Sequence, residues 1–187
     1  MQEPDDVAHP LYTEALADLR YVIAAVETST GRKSRWSGSL RVRGLDFGFA
    51  GQKHRSCGIS IHEDVLAVPA QRWSTMIHEG LHSVSGAFTA AGPPDAWEEA
   101  IVEQMQRIIR PDVLAGLGIE IASDEIEARD LTHPYNGDIG RLEALRRVLG
   151  GDPRAFYLGL LVASPTERTR ARIEAQRRLL RDGEGDA

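Results

Sequence analysis

Apolar positions in the opening stretch LYTEALADLRYVIAAVE recur at helical spacing, with Leu11, Leu16, Leu19, Val22, Ile23 and Val26 falling on one side. The pattern predicts an amphipathic helix over about residues 11–28, broken by the polar TSTGRKSRWSGS. From about residue 39 to 68 the period changes. SLRVRGLDFGF and SCGISIHEDVLAV alternate or cluster β-favouring residues around the turn-like AGQKHR, so two or three short strands in a small antiparallel sheet are expected there. After Pro69, Trp73, Met76, Ile77, Leu81 and Val84 return to helical spacing up to Gly86, which predicts a second helix stopping at that glycine.

Downstream, AFTAAGPP reads as a linker, and Asp95-Ala-Trp-Glu98 has the form of a capping box opening a helix that Pro111 would end. A loose stretch containing the strand-like GIEIA follows. Further helices are expected near 138–149, closed by Gly150-Gly151, then from Asp152-Pro153, and from Ser164-Pro165-Thr-Glu167. The chain thus reads as α+β and helix-dominated, one domain over residues 1–181 with a disordered tail at 182–187.

Composition narrows the possibilities. At 187 residues and 42% hydrophobic content the chain can bury one core. Net charge is −6 and the pI is about 5.5, so no global attraction to nucleic acid or anionic lipid exists. Lys33 and Lys53 are the only lysines; the arginine, alanine and glycine usage suits a GC-rich bacterial genome. The single cysteine, Cys57, cannot form an internal disulfide. No basic-then-apolar leader and no long apolar run is present, so a cytoplasmic protein without membrane contact is expected.

The chemistry concentrates in His78-Glu79-Gly80-Leu81-His82. Residues four apart stack on one helix face, so both imidazoles can reach one ion, and the glutamate between them can serve as a base. That is the HExxH arrangement of zinc hydrolases, in which Glu79 takes a proton from a zinc-activated water. The bland alternative is a helix that happens to carry these residues, with Gly80 weakening it slightly. A catalytic zinc takes three protein ligands and keeps a fourth position open. The residues after His82 are SVSGAFTAAG, which excludes the HExxHxxGxxH pattern of the metzincins.

HEGLHSVSG followed by EAIVE at 99–103 resembles the gluzincin metallopeptidases, the thermolysin-like clan. The resemblance covers about residues 74–103. It implies a minimal zincin domain that cleaves peptide bonds, with zinc on His78, His82 and Glu99, and Glu103 supporting a ligand histidine from behind. The helical wheel leaves Glu98 open as the third ligand, since it borders the apolar face of Trp97, Ile101, Met105, Ile108 and Ile109. Glu99 is preferred because Glu98 can serve as the capping partner of Asp95, and because Glu99 and Glu103 lie one turn apart.

An oxyanion develops during peptide hydrolysis, and the loop Thr132-His133-Pro134-Tyr135-Asn136 offers His133 and Tyr135 to stabilise it. The gluzincin resemblance implies a sheet edge beside the cleft that holds substrate as an added strand, and if GISIHEDVL is that edge the substrate is a polypeptide; His62 is expected to be a satisfied edge residue. His9 and His54 are expected to be exposed, and Cys57 to be a small buried residue. The arginine-rich last helix reads as a solvated amphipathic helix, so nucleic acid is not an expected partner. A polypeptide substrate, often one specific protein for so small a zincin, is the expected partner. A regulatory protein with a structural zinc site, or a nucleic-acid-associated factor using the arginine helix, are the competing readings.

Overall fold

A computed structural model describes residues 7–44, 48–54, 57–87 and 96–184. Among them it shows eight helices and one three-stranded sheet, so the helix-dominated α+β reading holds. The chain forms two compact units, residues 1–84 with 106–132 and residues 85–105 with 133–187.

In the first unit, α1 (Tyr12–Thr30) buries Leu19, Val22, Ile23 and Val26, and ends on Gly31 in the left-handed region at φ 65°. Strands β1 (Leu40–Arg43), β2 (Gly51–Lys53) and β3 (Ile59–His62) follow. The sheet is mixed, not antiparallel: its order is β1-β3-β2, with β3 parallel to β1 and antiparallel to β2. Alternation along a strand fixes which side chains face the core but not which strand lies in the middle. Between β2 and β3 the His54 amide donates to the Gly58 carbonyl at 2.7 Å, and Cys57 lies at φ 64°. Since β3 lies between β1 and β2, it is the central strand and cannot be a substrate-holding edge.

The stretch after β3 also differs from expectation. Val65 and Leu66, which read as strand, belong to a short helix α2 (Glu63–Ala67). The His62 side chain accepts from the Asp64 amide, and Glu63 and Asp64 place negative charge at the helix start. The next helix, α3 (Pro69–His82), begins with proline at its first turn and ends at His82 rather than Gly86. α1, α2 and β2 all pack on it.

Helix α4 (Ala96–Leu117) runs straight through Pro111. An interior proline costs about 3 kcal/mol, yet Ile109, Val113 and Leu114 continue the buried stripe across it, and that packing outweighs the lost hydrogen bond. Asp95 of the expected capping box lies outside the described residues. Where GIEIA read as strand-like, Gly118–Ala122 is irregular and is followed by α5 (Ser123–Leu131). None of its residues is buried. It is held instead through Asp130, which binds Arg110, Arg107 and Arg129.

The second unit contains α6 (Asn136–Leu149), α7 (Pro153–Val162) and α8 (Pro165–Glu184) around Ile139, Leu142, Tyr157, Leu160 and Leu161. Asp152 caps α7 by accepting from the Ala155 amide at 2.9 Å. Ser164 and Glu167 form a reciprocal capping box at the start of α8. The helix continues to Glu184, so residues 182–184 are helical rather than tail, and 185–187 lie outside the described residues. Gly86 has a different role from a helix stop: a Cβ there would sit 2.1 Å from the Val162 carbonyl oxygen, and its amide donates to Leu161.

Candidate metal centre

Every residue of α3 from Trp73 to His82 is buried, which removes His78, Glu79 and His82 from water. Two close packings set their helix. On one side Gly80 faces α1, where a Cβ would be in ordinary contact with Val26 at 3.4 Å and Ile23 at 3.5 Å. On another, Gly51 of β2 lies against Thr75 and Glu79, where a Cβ would come within 2.8 Å of the Glu79 side chain. The edge strand beside the glutamate is therefore β2. Helix α3 is further tied to α4 and α5 by the buried Arg110, which donates to Ser74 Oγ at 3.1 Å and forms a two-point pair with Asp130.

The His78 and His82 Nε2 atoms face each other at 3.2 Å, their rings at 70°. Two nitrogens bound tetrahedrally to one zinc at about 2.05 Å lie about 3.3 Å apart, so the pair already has the spacing of two ligands on one ion. In the second unit Glu99, partly exposed in the first turn of α4, offers a carboxylate oxygen as a ligand atom. Two imidazoles and a carboxylate are a donor set suited to zinc with a fourth position left open.

The alternative ligand Glu98 is engaged elsewhere. It is 4% exposed and forms a buried ion pair with Arg168. Glu103 is fully buried, and its carboxylate lies 3.4 Å from His133 Nε2. The His133 Nδ1 accepts from the Tyr135 amide at 3.5 Å, a tautomer that leaves Nε2 carrying the proton toward Glu103. The Tyr135 ring packs on His133 with centroids 5.2 Å apart. Sequence reasoning thus names His133, Tyr135 and Glu103 as separate candidates, and the fold brings them into one group of contacts.

The remaining histidines take structural roles. His62 caps α2. His9 and His54, expected to be exposed, are half-buried: His9 pairs with Glu63 at 3.0 Å, and His54 bonds Ser60 Oγ at 2.6 Å. Cys57, expected to be buried, is partly exposed between β2 and β3. Sequence reasoning missed Gly51 and Arg110, whose neighbours lie 28 and 36 residues away for Glu79 and Ser74, beyond the reach of any local pattern. Burial pushes Asp130 up, but its hydrogen bonds to Arg110 and the charges of Arg110, Arg107 and Arg129 more than offset this and hold it below the usual carboxylate range. Compared with known proteins, the chain matches no family model, no curated protein and no solved structure.

Proposed function

We propose that this chain is a zinc-dependent metallopeptidase of the gluzincin type, with His78, His82 and Glu99 holding the ion. The observation that carries the reading is the 3.2 Å separation of the His78 and His82 Nε2 atoms, that of two ligands on one ion, with Glu79 buried in the same helical turn; Glu99 is the proposed third ligand. Zinc bound there would supply Lewis acidity, bringing a water to a pKa of about 7 and polarising a carbonyl. The Glu79 carboxylate accepts the proton released as the water attacks and returns it to the departing amine nitrogen. The Tyr135 hydroxyl is the proposed donor to the developing oxyanion, and His133, whose Nε2–H is directed to Glu103, packs beside the Tyr135 ring. The β2 edge beside Glu79 offers main-chain groups to an extended polypeptide, the role that the gluzincin resemblance offered to β3.

Several of the arginines behind the nucleic-acid reading are engaged within the chain: Arg168 is buried, Arg172 lies over the Trp97 ring, and Arg178 and Arg181 both pair with Glu174. Among the described residues, no helix is long and apolar enough to cross a membrane.

The test is metal content by elemental mass spectrometry, followed by hydrolysis of a diverse peptide library. Wild type should hold about one zinc per chain, and His78→Ala and Glu99→Ala should lose it. Glu79→Gln should keep the zinc and lose turnover by about 10²–10⁴-fold. Absence of zinc from wild type even after reconstitution would refute the proposal, and loss of zinc from Glu79→Gln would refute the assigned role of the base.

A further inference from the structure

Arginine clusters in the last helix have no part in the chemistry above, yet the most buried of them sits at a telling place. Arg168 is 8% exposed, and its guanidinium is bonded on all three nitrogens. Nε donates to the Leu160 carbonyl at 2.7 Å, and one terminal nitrogen donates to the Leu161 carbonyl at 3.0 Å and to Ser85 Oγ at 3.2 Å. The other terminal nitrogen pairs with the Glu98 carboxylate. Leu160 and Leu161 lie in the last turn of α7, where carbonyls lack helical partners. Arg168 thus fastens that turn to two further segments, one containing Ser85, three residues after His82, and one containing Glu98, immediately before Glu99.

A second grip lies one turn along α8. The Arg172 guanidinium stands 4.5 Å from the centroid of the Trp97 ring, a cation–π contact. The two residues preceding Glu99 are therefore both held by α8, at positions four apart on one helix face. The Ser164–Glu167 capping box fixes where α8 starts, and with it the height at which both arginines project. Charge alone does not require this arrangement, because a buried arginine bonded to four acceptors gives direction as well as attraction.

We propose that Arg168, supported by Arg172, is a positioning residue for the metal ligand Glu99: it fixes the first turn of α4 through Glu98 and Trp97 so that the Glu99 carboxylate is presented in one direction. The inference rests on the zinc site proposed above. It concerns metal affinity and ligand geometry, since Arg168 touches no reacting group.

The experiment measures zinc affinity of the full chain by competition with a chromophoric chelator, and the visible spectrum of the cobalt-loaded protein. Wild type, Glu98→Gln, Arg168→Lys and Arg172→Leu are compared, with urea unfolding of each metal-free chain as the control for general damage. Outer residues that orient ligands typically contribute 10–100-fold to affinity. Glu98→Gln and Arg168→Lys should therefore bind zinc about 10-fold or more weakly and show a changed cobalt spectrum. Arg172→Leu, at an exposed site, should fold normally and show a smaller loss of the same kind, which keeps the test decisive should Arg168→Lys fail to fold. Zinc affinity and a cobalt spectrum equal to wild type in folded variants, even with lowered metal-free stability, would overturn the positioning role and leave the zinc site standing. Wild type that binds neither metal would overturn both.

Discussion

Replacing Gly51 with alanine would build a methyl group into the seam between β2 and α3. Its carbon would lie 2.7 Å from Thr75 Cγ2 and 2.8 Å from both Cγ and Oε1 of Glu79, where carbon pairs prefer about 3.5–4.0 Å. Roughly 1 Å of separation must therefore be recovered. Thr75 is β-branched and stiff at χ1, so the displacement falls largely on Glu79 or on the strand. Overpacking of this kind costs about 1–3 kcal/mol. A base moved by about 1 Å can lose on the order of 10² in turnover. The three atoms nearest the methyl belong to Thr75 and Glu79 and not to either histidine, so zinc affinity should stay within a factor of about two. Urea unfolding gives the stability change, chelator competition the affinity, and peptide hydrolysis the rate. Wild-type stability together with wild-type turnover would show that the seam has slack and that Glu79 is not positioned by β2.

Two further substitutions probe the same unit. Gly80→Ala should stabilise the protein by about 0.5–1 kcal/mol, because its Cβ would make only ordinary contacts of 3.4–3.6 Å with Val26, Ile23 and Val22; a lowered melting temperature would contradict the packing between α1 and α3. Asp130→Asn should cost about 3 kcal/mol at neutral pH by leaving the buried Arg110 short of charge. Because the folded-state pKa of Asp130 is depressed, its contribution is complete above the unfolded value near 3.8 and is lost as pH falls through the folded value. The stability gap between wild type and Asp130→Asn should accordingly be flat above about pH 5 and close below about pH 4, and a gap unchanged at pH 3 would show that the carboxylate does not titrate with folding.

Much of the helical framework was legible because its signals are local. The apolar spacing of α1, the Asp152-Pro153 start of α7 and the Ser164–Glu167 box each act within a few residues. HEGLH was legible for the same reason, since four residues make one helical turn. Failures arose where tertiary packing decides. Val65 favours strands intrinsically and Leu66 extends the apolar run, but a histidine cap and two acidic residues start a helix there. α5 has no apolar face to detect, since it is held by Asp130 rather than by burial. Glu98 was ambiguous as a ligand because its partner Arg168 stands 70 residues away. The parallel pairing of β1 with β3 depends on strand order, which alternation does not encode.

The ten consecutive buried residues from Trp73 to His82 bear on how fast a bound ion could leave. Amides in an element enclosed this way exchange with solvent only through the largest openings of a protein, whereas surface helices such as α5 open locally and often. Fraying of α3 is therefore too rare an event to set the lifetime of an ion on His78 and His82. Release would follow the motion of the partly exposed Glu99, and the residence time of the metal would report on that one carboxylate rather than on the helix that supplies both imidazoles.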